Sequence, residues 1–143
     1  KTVRENASMS RQGIPDYLVT MRAPGDVVDR VKHGDDYPVS KWQRIASPIW
    51  TDIDPSDTLQ YASAREHDDE RHICPLQLEV IRRGIDLWTN PGDTVLTPFA
   101  GIGSELYVAV EMGRKAVGVE LKSSYYQQAV RNLHAIGSQG TLF

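Results

Sequence analysis

Asn90-Pro-Gly-Asp-Thr94-Val-Leu-Thr97-Pro98-Phe-Ala-Gly101-Ile-Gly103-Ser104, with Lys115-Ala-Val-Gly-Val-Glu120 behind it, is the stretch that decides how this chain folds. Thr94-Val-Leu-Thr97 is apolar at its centre and set off by the turn-forming Asn90-Pro-Gly-Asp93, so it reads as a short buried strand. Ser104 belongs to the residue types that cap helices, and Leu106, Val108, Ala109, Val110 and Met112 supply the apolar positions of a helix running to about Gly113. Lys115 to Glu120 reads as a second strand. Strand, helix and strand at this pitch form a βαβ unit, with parallel strands and a right-handed crossover. A last helix follows from Ser123 or Ser124 to about Ile136. Upstream, Leu76, Leu78, Val80, Ile81, Ile85, Leu87 and Trp88 recur mostly at three- and four-residue spacings, which predicts an amphipathic helix with Pro75 in its first turn. The second half of the chain is α/β.

Working outward, the texture changes. Residues 23–70 carry Pro24, Gly25, Gly34, Pro38, Pro48 and Pro55 and hold no sustained period, so they read as loops and short elements. Tyr17-Leu-Val-Thr-Met-Arg22, bounded by Pro15-Asp16 and Pro24-Gly25, is the one strand expected there. The chain thus divides into residues 1–60, a strand plus an irregular segment, and residues 61–143, an α/β unit.

The 143 residues are 40% apolar and 24% charged, with a net charge of −3. This composition fits one folded domain and lies far from that of disordered chains. No apolar run approaches the roughly 20 residues that span a bilayer, and no signal peptide opens the sequence. The start at Lys1 without a Met suggests a piece of something longer. A single cysteine, Cys74, excludes an internal disulfide framework and fits a reducing compartment. Charge is uneven: residues 1–50 hold eight Lys/Arg against six Asp/Glu, residues 51–80 two against eight, and residues 81–143 six against five. The broad basic footprint of a nucleic-acid binder is therefore absent, and only the first fifty residues lean basic.

Gly101 and Gly103 let the backbone turn sharply and let a ligand approach the main chain, while the helix behind them directs its free N–H groups to the same place. Glu120 ends the second strand about twenty residues on, where nucleotide-binding α/β units place an acid for ribose hydroxyls. A ligand-free turn and a solvated strand-end acid are the bland alternatives. Leu106 stands where a dinucleotide fingerprint has its third glycine, and no Gly-Lys-Ser/Thr follows, so NAD and a Walker-type phosphate fit poorly. An adenosine-type ligand without pyrophosphate fits better, and S-adenosylmethionine (AdoMet) is the obvious member of that class.

Asn90 to Ser104, then Gly113-Arg114 and Val117-Gly-Val-Glu-Leu121, resemble the AdoMet-binding signature of amino-group DNA methyltransferases, which methylate adenine N6 or cytosine N4. Arg71-His-Ile-Cys-Pro75 resembles the Lys-His-Pro segment of that family's cofactor pocket. Its position directly before the glycine loop matches the permuted subclass, in which cofactor motifs follow catalytic ones. Asp57 to Leu133 is similar to the C-terminal part of phage and prophage methylases. The resemblance implies a Rossmann-like AdoMet-dependent methyltransferase fold, here incomplete, with a partial parallel sheet flanked by helices. It implies cofactor contacts from Thr97, Pro98, Phe99, Ala100, Gly101, Gly103, Ser104 and Glu105 in the loop and helix start. It implies others from Glu120 and Leu121 at the second strand, and closure of the pocket by His72, Ile73, Cys74, Pro75 and Leu76. Thr97 stands where the family usually has Asp, and Ser104-Glu105 replaces Thr-Thr, adding a carboxylate that suits a helix N-terminus and could face the cofactor's sulfonium or amino group.

The family's catalytic Asp/Asn/Ser-Pro-Pro-aromatic tetrapeptide, which holds a flipped base, is missing. No catalytic residue is therefore expected and the isolated chain should be inactive; Ser47-Pro48-Ile49-Trp50 is the nearest string and reads as a turn with Trp50 in the core, with a catalytic role for Ser47, Pro48 and Trp50 as the alternative. His67, His72 and Cys74 could suggest a metal, but structural zinc takes four ligands in recognisable pairs, and none is expected. Tyr37, Trp42 and Trp50 could stack on bases or belong to the core. The resemblance implies double-stranded DNA as partner, contacted through residues 1–60 beside the target-recognition region, and a catalytic half on the same parent chain or on a partner polypeptide. It implies no membrane association and a cytoplasmic location in a bacterial or phage-infected cell. With strands expected only at 17–22, 94–97 and 115–120, the sheet leaves an open edge that invites self-association.

Overall fold

In a computed structural model of the protein, residues 16–26, 29–60 and 74–139 are described. Their elements in chain order are α1 (Val39–Ile45), α2 (Leu78–Trp88), β1 (Thr94–Thr97), α3 (Ser104–Glu111), β2 (Lys115–Gly118) and α4 (Ser123–Gln139). β1 and β2 pair in parallel with α3 as the crossover, in the register Thr94↔Lys115, Val95↔Ala116, Leu96↔Val117 and Thr97↔Gly118. Beyond the ladder, the Val119 N–H donates to Thr97 O (3.0 Å) and the Ala100 N–H to Val119 O (2.8 Å). These two bonds stitch the glycine loop to the end of β2.

Strand alternation sends Val95 and Ala116 to one face, where they pack on a core of Leu78, Ile81, Ile85, Val108 and Ala109 from α2 and α3. The opposite face carries Leu96 (67% exposed) and its register partner Val117 (51%). β1 is therefore half-covered rather than buried, because the helices packed on the sheet all lie to one side among the described residues.

The polar side of α2 gathers the irregular segment before it. Arg83, only 2% exposed, donates twice to Asp52 (2.8 and 2.9 Å) and once to Glu79 (2.9 Å). Asp86 accepts the Tyr37 hydroxyl (2.7 Å) and pairs with Lys41 (2.8 Å). The Leu78 N–H donates to Asp57 O (2.8 Å), and Asn90 both accepts from the Lys32 N–H and donates to Arg30 O. Residues 30–57 thus wrap α2 without forming sheet.

Several expectations need correction. Residues 17–22 form no strand; they are irregular and exposed, Met21 at 90%, because a ladder needs a second strand and none lies beside them among the described residues. Ser104 does not cap α3. The cap position is Gly103, at φ +87°, with no side-chain capping bond. α2 starts at Leu78 instead of near Pro75, where its first N–H meets Asp57 O, and α3 stops at Glu111, two residues before Gly113. β2 ends at Gly118, since pairing beyond it passes from β1 to the loop.

Candidate functional site

The loop between β1 and α3 carries two glycines with different duties. Gly103 lies against α4: a Cβ there would come within 3.0 Å of the Ala129 Cβ, so helix packing and positive φ both demand glycine. Gly101, at φ +53°, meets nothing within 4 Å and opens onto a cleft. Behind the loop, the Glu120 carboxylate accepts the N–H groups of Gly101 (2.8 Å) and Lys122 (2.8 Å). It clamps the turn from the β2 side and keeps lone pairs for a further donor.

The cleft holds about 260 Å³ and is lined by Cys74, Pro75, Leu76, Phe99, Ala100, Gly101, Ile102, Ser104, Glu105 and Tyr125. Its walls are mainly apolar and aromatic. Tyr125, at the start of α4, packs on Ile102 and carries the Lys122 ammonium 4.5 Å from its ring centroid. The first intrahelical bond of α3 runs from the Tyr107 N–H to Gly103 O (2.8 Å), so the N–H groups of 104–106 precede it, and Ser104 and Glu105 of that turn line the cleft. Burial pushes the Glu105 carboxyl above its ordinary pKa, opposed only by a hydrogen bond from its own backbone N–H.

Of the residues expected to contact a cofactor, Cys74, Pro75, Leu76, Phe99, Ala100, Gly101, Ser104 and Glu105 meet at this cleft. Thr97, Pro98, Gly103, Glu120 and Leu121 do not line it. Thr97 is buried with its hydroxyl turned to the Phe99 N–H (3.4 Å), and Leu121 points into solvent. His72 and Ile73 lie outside the described residues, as does His67 of the metal alternative. Ile102 and Tyr125 line the cleft without having been expected there. Tyr125 reaches it only because α4 packs on α3, a contact with no local signature in the sequence.

The catalytic candidates sit elsewhere. The Ser47 hydroxyl donates to Ile49 O (2.9 Å) within a tight turn. Trp50 is half-buried, its indole N–H donates to Ile45 O (3.0 Å), and the Arg83 guanidinium lies 5.1 Å from its ring centroid. Its ring is held as structure. Tyr37 stacks on His33 with centroids 3.8 Å apart, whereas Trp42 is half-exposed and belongs to no core.

A parallel βαβ unit whose glycine loop opens at a helix N-terminus, with an acid two residues beyond the second strand, defines a Rossmann-like unit of the kind that binds nucleotides. The DNA methylase family matches residues 10–131, and the chain belongs to that family. The chain is 34% identical over 77 residues to the putative methylase YubD of Escherichia coli K12, covering 54% of this chain and 32% of that one. It is 27% identical over 126 residues to the type II methyltransferase M1.MboII of Moraxella bovis, covering 76% and 45%. Among solved structures, TTHA0409 of Thermus thermophilus, a putative DNA modification methylase complexed with S-adenosyl-L-methionine, superposes with a TM-score of 0.58 at 27% identity, covering 85% of this chain and 47% of that one. The chain spans less than half the length of these relatives.

Proposed function

We propose that this chain is the AdoMet-binding, C-terminal part of a DNA methyltransferase of the permuted, phage-like kind, acting on the exocyclic amino nitrogen of adenine or cytosine. The observation that carries the reading is the cleft at the glycine loop, which brings Cys74 to Leu76, Phe99 to Gly101 and the start of α3 together. Its residues fit the cofactor. Phe99, Ile102 and Tyr125 offer apolar and aromatic faces to a purine. Gly101 leaves room beside the backbone, and the first turn of α3 offers N–H groups to a carboxylate. At about 260 Å³ the cleft lies just under the ~300 Å³ at which small-molecule sites begin, so a nucleoside-sized ligand fills it and projects from its mouth.

When bound, AdoMet supplies an electrophilic methyl group on sulfonium, open to in-line attack by the target amine. This chain's residues bind and orient. Glu120 holds the loop and keeps lone pairs for a ribose hydroxyl, and Cys74, Pro75 and Leu76 close the pocket. The group that grips the target amine belongs to a catalytic half, on the same parent chain or on a partner, and DNA is contacted beside it through residues 1–60. Such an enzyme works in the cytoplasm of a bacterial or phage-infected cell. No helix among the described residues is long and apolar enough to cross a membrane.

Calorimetry tests the reading together with Cys74, the single thiol, which lines the cleft. AdoMet is expected to bind and to slow alkylation of Cys74, and Glu120→Ala is expected to weaken binding by about 1–3 kcal/mol. No heat, no thermal shift and no protection of Cys74 at millimolar AdoMet would sink it.

A further inference from the structure

We propose that Glu105 is the residue that reads the amino-acid end of the cofactor, pairing its carboxylate with the ligand's α-ammonium while the adjacent N–H groups of α3 take the α-carboxylate. The inference rests on the AdoMet reading above and adds to it a specificity-determining side chain.

Glu105 is the one Asp, Glu, Lys or Arg among the described residues lining the cleft, and it forms no salt bridge with a described residue. Thr97, at the end of β1, offers no competing acid and turns its hydroxyl toward Phe99. Glu120 does not line the cleft, and its carboxylate holds two backbone N–H groups behind the loop. Among the described residues, Glu105 is therefore the carboxylate that a cation in the cleft meets. Burial already disfavours its ionised form, so a cation brought within hydrogen-bond reach restores what desolvation removes.

The choice between the ligand's two cations follows from donors. A sulfonium has no N–H to give and is shielded by three carbon substituents. An ammonium has three donors, and a carboxylate at a helix start can accept them directly. The same turn carries the N–H groups of Ser104 and Leu106 ahead of the first intrahelical bond, the Glu105 N–H being taken by its own carboxylate, and the helix dipole there favours a carboxylate. An acid and a set of backbone donors side by side are complementary to a zwitterionic α-amino acid.

Calorimetry with three probes tests this: AdoMet, S-adenosylhomocysteine, which keeps the amino acid and lacks the sulfonium charge, and 5′-methylthioadenosine, which lacks the amino acid. Glu105→Gln is expected to weaken the first two by about tenfold or more and the third by less than about twofold. Glu105→Asp should recover part of the loss, and the ligand-free Glu105→Gln variant should melt no lower than the parent. Equal loss for all three probes would mark a structural role, and loss for AdoMet alone would mark a sulfonium contact; either result, or no loss, overturns the proposal. If the parent chain binds none of the probes, the AdoMet reading itself fails.

Discussion

At the scale of single residues, the two glycines of the loop separate ligand approach from packing. Gly103 must be glycine twice over, for its φ of +87° and for the Ala129 Cβ that an added methyl would meet at 3.0 Å. Gly92, at φ +85° with nothing within 4 Å, carries the conformational demand alone. Gly92→Ala should therefore cost about 1 kcal/mol, and Gly103→Ala about 2–4 kcal/mol, because the latter also presses α3 off α4. Urea unfolding of the two variants measures the difference; equal losses would mean that the Ala129 contact yields freely. The glycine pair is legible in the sequence as a turn, but the reason for Gly103 lies in α4, twenty-odd residues away. The same packing explains why Tyr125 is invisible as a cleft residue until α4 is docked. Glu120 shows the converse: its place is legible from spacing, while its clamp on the Gly101 N–H is a matter of geometry alone.

At the scale of elements, the βαβ unit is legible because each part has its own local signal: a turn before β1, apolar positions along α3, a short apolar run in β2. Residues 17–22 have the composition of a strand and fail as one, since a strand is a property of two segments and composition describes only one. For α2 the apolar stripe shows, whereas the service of Arg83 and Asp86 as buried polar anchors does not, because their partners Asp52, Tyr37 and Lys41 are remote in sequence. These anchors set an acid dependence. Burial raises the Asp86 pKa, but the hydrogen bonds from Lys41 and Tyr37 and the nearby charges of Lys41 and His33 outweigh it and hold the carboxyl below its usual range. The hydrogen bond from Arg83 lowers Asp52 likewise. A depressed carboxylate stabilises the fold above its unfolded pKa of about 3.9, and that contribution is lost as pH falls through the lower folded value. Glu105 runs the other way: its raised pKa makes its ionisation costly above the folded value, and that cost disappears as pH falls. Asp86→Asn should cost about 1 kcal/mol at pH 7, discounted because Lys41 is half-exposed, and should flatten the decline of stability below about pH 4. Melting temperatures of parent and variant across the acid range test it; parallel curves would exclude Asp86 as a source of the acid slope.

At the scale of the whole molecule, the two-stranded sheet is covered on one face only. A parallel sheet is stable with helices on both faces, since its strands carry apolar side chains to each. Here α2 and α3 bury Val95 and Ala116, whereas Leu96 and Val117, paired in register, and Val119 just beyond them face outward. The outer edges of β1 and β2 are also without a neighbouring strand among the described residues. An apolar face joined to free backbone donors and acceptors is a surface that another chain can pair with and cover. In the proposed parent enzyme the catalytic half would meet this face. For the chain by itself the available cover is a second copy, and concentration-dependent self-association is the expected behaviour. Light scattering behind size exclusion should give a mass that rises with loading, and Leu96→Lys should return it to that of one chain. Val95 and the core behind it are untouched by that change, so the variant should keep its far-ultraviolet circular dichroism. A parent chain that stays monomeric at high concentration, with a cooperative thermal transition, would mean that the bare face is tolerated and that no partner is needed to hold the fold.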